Sequence, residues 1–172
     1  LGCGNGWYLH RLLRRCGHLR GVGMDQSSEA IAQATARAQA DGLADRLSFR
    51  HGDLFDFQVA EPVDLIAMNR ALHHVWGEDV DRRRAVFRIL ADHLAPGGAA
   101  VIWEPVWPKD RAVLRQPPQR GLAFQNLAEH LQGNRFLHPD EIAAELAIAG
   151  LEPEVFTFLE GREAVVVGRR PG

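Results

Sequence analysis

The chain has 172 residues, 46% hydrophobic and 24% charged, with a formal net charge of −2. One domain over residues 1–172 is the expectation at that length; the balanced charge gives no reason to expect nucleic acid, and no apolar run approaches the ~20 residues of a membrane span. Cys3 and Cys16 make no disulfide framework, so a reduced, cytoplasmic setting is the default.

Leu1-Gly2-Cys3-Gly4-Asn5-Gly6 opens the chain. Residues 5–16 predict a first helix, with Leu9, Leu12 and Leu13 on one face. Arg11, Arg14 and Arg15 lie on the other, toward the end that favours cations. Gly17 stops it. Residues 19–24 predict a short apolar strand. Ser27 or Ser28 caps a second helix to about residue 41, striped by Ile31, Ala34 and Ala38. Residues 47–50 alternate as a short strand does, ending at His51-Gly52-Asp53. Residues 63–68 read as an apolar run buried on both faces. Residues 81–94 predict a helix with Val86, Phe87, Leu90 and Leu94 inward. Pro96-Gly97-Gly98 is a hard turn before a buried strand at 99–103. Residues 111–131 are polar and broken by Pro117-Pro118, so 106–137 are expected to be an irregular insertion or lid. Pro139 opens a helix to 149. Residues 154–159 and 163–169 predict two strands joined tightly enough to be an antiparallel hairpin.

Asp25 stands nineteen positions after Gly6, beyond one helix and one strand. That spacing suits a doubly wound α/β domain holding an adenosine-type cofactor. Glycines let the backbone approach the ligand, and an acid at the next strand's end meets ribose hydroxyls. A dinucleotide fingerprint is G-x-G-x-x-G; here the pattern is G-x-G-x-G, and Trp7 sits where the third glycine would fall. Such a fold also places a buried central strand before the loop, and at most Leu1 of it is present. The chain is therefore expected to lack its N-terminal strand. Two neighbouring strands would carry unpaired backbone groups, each costing about 1–3 kcal/mol if buried unsatisfied.

The glycine loop, Asp25, Gly52-Asp53-Leu54-Phe55 and Leu94-Ala95-Pro96-Gly97-Gly98 occur in order, with Asn69-Arg70-Ala71-Leu72-His73-His74-Val75 after the strand at 63–68. Across essentially its whole length the chain resembles the class I S-adenosylmethionine (SAM) methyltransferases of small-molecule type. That resemblance implies a Rossmann-like doubly wound α/β sheet ending in an antiparallel hairpin. It implies SAM as cofactor and methyl transfer to a small-molecule acceptor at oxygen or nitrogen. Gly2, Cys3, Gly4 and Gly6 would lie under the methionine part. Asp25 with Gln26 would take the ribose; Gly52 and Asp53 would take the adenine, with Leu54 or Phe55 against its ring; Asn69 would contact the methionine end. The insertion at 106–137 would border the acceptor.

His73 and His74 are candidate bases, with Glu104 a further polar candidate. Adjacent side chains in a regular element point apart, so one of the pair is expected to face the methyl group, and His74 is favoured. No metal is expected: the eight histidines include no H-E-x-x-H, and no cysteine pair has ligand spacing. The alternatives are a nicotinamide-dependent oxidoreductase, or a non-catalytic SAM-binding or truncated module. Trp7 and the lack of a Tyr-x-x-x-Lys pair count against the oxidoreductase.

Overall fold

A computed structural model describes all 172 residues, which fall into two compact units, Leu1–Gln58 and Val59–Gly172. Both are α/β.

In the first unit Gly6 turns the chain into α1 (Trp7–Arg15). Its φ is +73°, and a Cβ there would lie 2.5 Å from Phe49 Cζ, so this position takes only glycine without strain. His10 and Leu13 are the buried residues of α1, while Leu9 and Leu12 are half-buried. His10 is buried because its Nε2 meets Asp41 at 2.6 Å, a partner that periodicity cannot reveal. Arg46 closes the other end: its guanidinium donates to the carbonyls of Leu13 (3.2 Å) and Leu19 (2.9 Å). Carbonyls past a helix end have no intrahelical donor, and a cation there also meets the negative end of the helix dipole.

β1 (Gly21–Asp25), α2 (Ser28–Ala40) and β2 (Leu47–His51) follow, with β1 and β2 parallel and Asp25 in register with His51. The Ser27 hydroxyl caps α2 by accepting from Ala30 N–H at 3.2 Å. Ile31, Ala34 and Ala38 are buried, as their spacing predicts. Leu13, Ala38, Leu43 and Leu47 form the centre of this unit's core.

In the second unit β3 (Val63–Asn69) runs parallel to β4 (Leu94–Pro105), with α3 (Val80–His93) between them in sequence. β5 (Glu152–Phe158) and β6 (Glu163–Arg169) form the expected antiparallel hairpin, and β6 pairs antiparallel with β4. The sheet order is β3-β4-β6-β5. α4 (Arg120–Leu131) and α5 (Pro139–Ile148) complete the unit. The core gathers Val86, Phe87 and Leu90 of α3, Ile102 of β4, Leu146 of α5 and Val166 of β6.

Three expectations are corrected. Residues 63–68 are not buried on both faces: Leu65 is 45% exposed, and within the strand only Ile66 and Met68 are buried. Pro96-Gly97-Gly98 is not a separate turn. It lies inside β4, where the partner register jumps from Val63–Leu94 to Leu65–Ala99, so the extra residues bulge out of the ladder. Residues 111–131 are not irregular throughout, because Pro117 stands ahead of the twelve-residue α4 rather than breaking it.

Candidate active site

In the first unit Asp25, at the C-terminal end of β1, organises the loop. Its Oδ2 accepts the Gly4 N–H at 2.7 Å, and its Oδ1 accepts the Ser27 N–H at 2.9 Å. Its own carbonyl accepts from Gly52 N–H at 3.0 Å, which brings the end of β2 beside it. Gln26 is held there too, its carbonyl 3.0 Å from His51 Nε2. Gly2 and Gly4 have φ of +63° and +51°, and the space a Gly4 side chain would take is open. Cys3 N–H donates to Met24 at 3.1 Å, and burial pushes its thiol up to about 11. Asp53 Oδ1 accepts from Phe55 N–H at 3.0 Å, which begins a single 3-10 turn over Leu54–Asp56. The structure thus brings Gly2, Cys3, Gly4, Gly6, Asp25, Gln26, Gly52, Asp53 and Leu54 together in one unit.

In the second unit Asn69 ends β3, opposite Trp103 of β4. Arg70 then takes φ +53°, a left-handed conformation rarely adopted by a residue with a side chain. Three contacts hold it: its N–H donates to Trp103 O at 2.7 Å, and its guanidinium reaches Glu163 at 3.0 Å and Gln125 at 3.4 Å. This reversal sends the chain into a 3-10 turn over Leu72–His74.

Glu104 anchors that turn. It is 2% exposed; Oε1 accepts from Leu72 N–H at 2.8 Å, and Oε2 lies 2.6 Å from His73 Nδ1. His73 is buried with Phe136 edge-on, their ring centroids 5.3 Å apart. His74 is exposed, and its Nδ1 lies 2.9 Å from Asn134 Nδ2. The two histidine rings do not diverge: their centroids are 4.1 Å apart, and both approach Glu129 Oε2, at 3.8 Å from His73 and 3.7 Å from His74. The rule of alternating directions holds in regular elements, and this turn is not one. Sequence reading missed Glu129. It lies fifty-five positions after His74 on a helix not foreseen, and no short motif links them.

Residues 1–98 match the family model described as "Methyltransferase domain". This chain belongs to that family. Among similar curated proteins, trans-aconitate 2-methyltransferase of Streptomyces avermitilis is 36% identical over 61% of this chain and 37% of its own length. dTDP-4-amino-2,3,4,6-tetradeoxy-D-glucose N,N-dimethyltransferase of Saccharopolyspora spinosa is 32% identical over 66% of this chain and 41% of its own length. A solved O-methyltransferase family protein from Burkholderia thailandensis superposes with a TM-score of 0.80 at 25% identity, over 99% of this chain and 49% of that one. The chain thus spans roughly two fifths of these curated relatives and half of that structure. The Rossmann-like methyltransferase fold expected from sequence is the one observed.

The family's methyl donor, SAM, fits the residues of the first unit. Gly4 offers open backbone with no side chain in the way. Each Asp25 oxygen accepts one backbone N–H and keeps further lone pairs for ribose hydroxyls. No helix is long and apolar enough to cross a membrane.

Proposed function

We propose that this chain forms the methyl-transfer part of a SAM-dependent enzyme acting on a small molecule at oxygen or nitrogen. The tethering of the glycine loop to Asp25 carries the reading. The names of two relatives, one for trans-aconitate and one for a dTDP-amino sugar, support a small-molecule acceptor. Family membership favours this reading over the nicotinamide alternative. A cytoplasmic setting rests on two free cysteines.

Bound SAM would supply a methyl group already activated by the sulfonium. Gly2, Cys3, Gly4 and Gly6 would carry its methionine part and Asp25 with Gln26 its ribose. Gly52, Asp53 and Leu54 would border the adenine. Asn69, at the C-terminal end of β3, stands where open α/β sheets present ligand contacts. Orientation of the acceptor can supply about 7–11 kcal/mol of the barrier. An acceptor hydroxyl or ammonium must also lose a proton, and His74, exposed after the Arg70 reversal, is the base of this proposal. His73 is turned into its bond with Glu104, so both act by holding the turn that presents His74. The segment 106–137 contributes α4 and Asn134, which contacts His74, and so has the place of an acceptor-side wall.

Methyl transfer from radiolabelled SAM by the complete protein, screened against carboxylic acids, phenols and sugar amines, tests the reading. Turnover is expected with at least one class, and His74→Ala should lower kcat roughly 10²–10⁴-fold with SAM affinity retained. Absence of SAM binding in calorimetry would overturn it.

A further inference from the structure

The cluster around Glu129 has a second property. Glu104 accepts the hydrogen of His73 Nδ1, so in the neutral ring the lone pair lies on Nε2. His74 Nδ1 accepts an N–H of the Asn134 amide and so also carries a lone pair. These two nitrogens lie 3.8 and 3.7 Å from one carboxylate oxygen of Glu129, and all three atoms fall within 4.8 Å of one another. In this tautomer neither nitrogen has a hydrogen to give the carboxylate, whose Oε2 accepts an N–H of the neutral Asn134 amide at 3.2 Å. A positive charge is what such a donor set calls for.

We infer that His73 Nε2, His74 Nδ1 and the Glu129 carboxylate form a site for a divalent transition-metal ion of the zinc class. Two imidazoles with one carboxylate select zinc, nickel or copper over magnesium or calcium, which prefer all-oxygen sites. Ligands at about 2.0–2.1 Å in a tetrahedron lie about 3.3–3.4 Å apart, so each nitrogen need approach the carboxylate oxygen by only a few tenths of an ångström, while the two nitrogens, within 4.8 Å of each other, must close by up to about 1.4 Å. His74 and Glu129 are both partly solvated and have room to move. Rotation of the Asn134 amide would bring an oxygen in place of its nitrogen, and water is the other candidate for the fourth position. The Glu104 carboxylate on His73 is the outer partner that metal-bound histidines characteristically have, fixing tautomer and ring orientation. The sequence expectation of no metal rested on short motifs, and those cannot show a ligand brought in by a distant helix. A His74 lone pair that holds an ion cannot take a proton, so ion-loaded and methylating states exclude each other if His74 is the base.

The test is calorimetric titration of the complete protein with Zn²⁺ alone, without SAM or acceptor, so its outcome does not depend on the methyl-transfer reading. One ion per chain is expected. Glu129→Gln and His74→Ala should each weaken binding by at least about tenfold. Thermal melts close to wild type would show that both variants still fold. Glu104→Gln should weaken it less, because it touches the ion only through His73. Mg²⁺ should give no comparable heat. No Zn²⁺ binding up to about 1 mM, binding that both ligand variants leave unchanged, or Mg²⁺ binding as tight as Zn²⁺ would each overturn the site.

Discussion

Glu104 Oε2 and His73 Nδ1 lie 2.6 Å apart, and both side chains are almost wholly removed from water. The same carboxylate takes the Leu72 N–H on its other oxygen. One buried acid thus fixes the turn after β3 and the orientation of the ring within it. Burying a carboxylate is costly unless it is paired and hydrogen-bonded, and here its partners satisfy it.

Glu104→Gln should therefore destabilise the protein by about 1–3 kcal/mol, because the amide replaces a charge-assisted bond with a weaker one and places an N–H₂ among donors. Urea midpoints would read this. A midpoint equal to wild type would mean that the pair contributes nothing net.

Gly6 and Gly121 should respond in opposite directions to alanine. A Cβ at Gly6 would lie 2.5 Å from Phe49 and 2.9 Å from Ala34, at φ +73°. Overpacking and a left-handed alanine should together cost about 1–3 kcal/mol. Gly121 stands near the start of α4 with nothing within 4 Å of its would-be Cβ. Gly121→Ala should stabilise by about 0.5 kcal/mol through helix propensity. The two melting temperatures, compared with wild type, check both signs.

The residues legible in sequence were those whose signal is local. α2 shows its stripe at Ile31, Ala34 and Ala38 and its cap at Ser27, and the loop-to-Asp25 spacing reflects one βα unit. α4 was illegible for a physical reason: Phe124, Leu127 and Leu131 are exposed, so its apolar residues do not mark a buried stripe. With α4 went Glu129. The convergence of His73 and His74 was hidden by the left-handed Arg70, since nothing in a residue's identity announces φ +53°.

Asp25→Ala tests the cofactor role against a purely structural one. The variant leaves the Gly4 and Ser27 N–H groups without their acceptor and removes the proposed ribose contact. SAM affinity should fall by about 1–3 kcal/mol. Asp25→Asn keeps one carbonyl acceptor and should fall between. If calorimetry finds affinity unchanged in Asp25→Ala while the melting temperature drops, Asp25 only braces the loop.

The start of α5 gives a pH signature. The Lys109 ammonium hydrogen-bonds Asp140 at 2.5 Å and holds its carboxyl below the usual range. For Glu141, burial pushes the carboxyl up. Hydrogen bonds from Arg135 and the His138 N–H, with their charges, outweigh that and leave it lowered. Both groups are depressed in the folded chain, so the stability they add is complete above the ordinary carboxyl range near pH 4 and is lost as pH falls through their folded values. Glu141→Gln should therefore lower the urea midpoint at pH 6, and the gap to wild type should close toward pH 3. Salt should shrink the gap at pH 6, because the Glu141 carboxylate is still partly solvated. A gap that stays constant from pH 6 to pH 3 would show that the glutamate acts through packing or its neutral hydrogen bonds, not through charge.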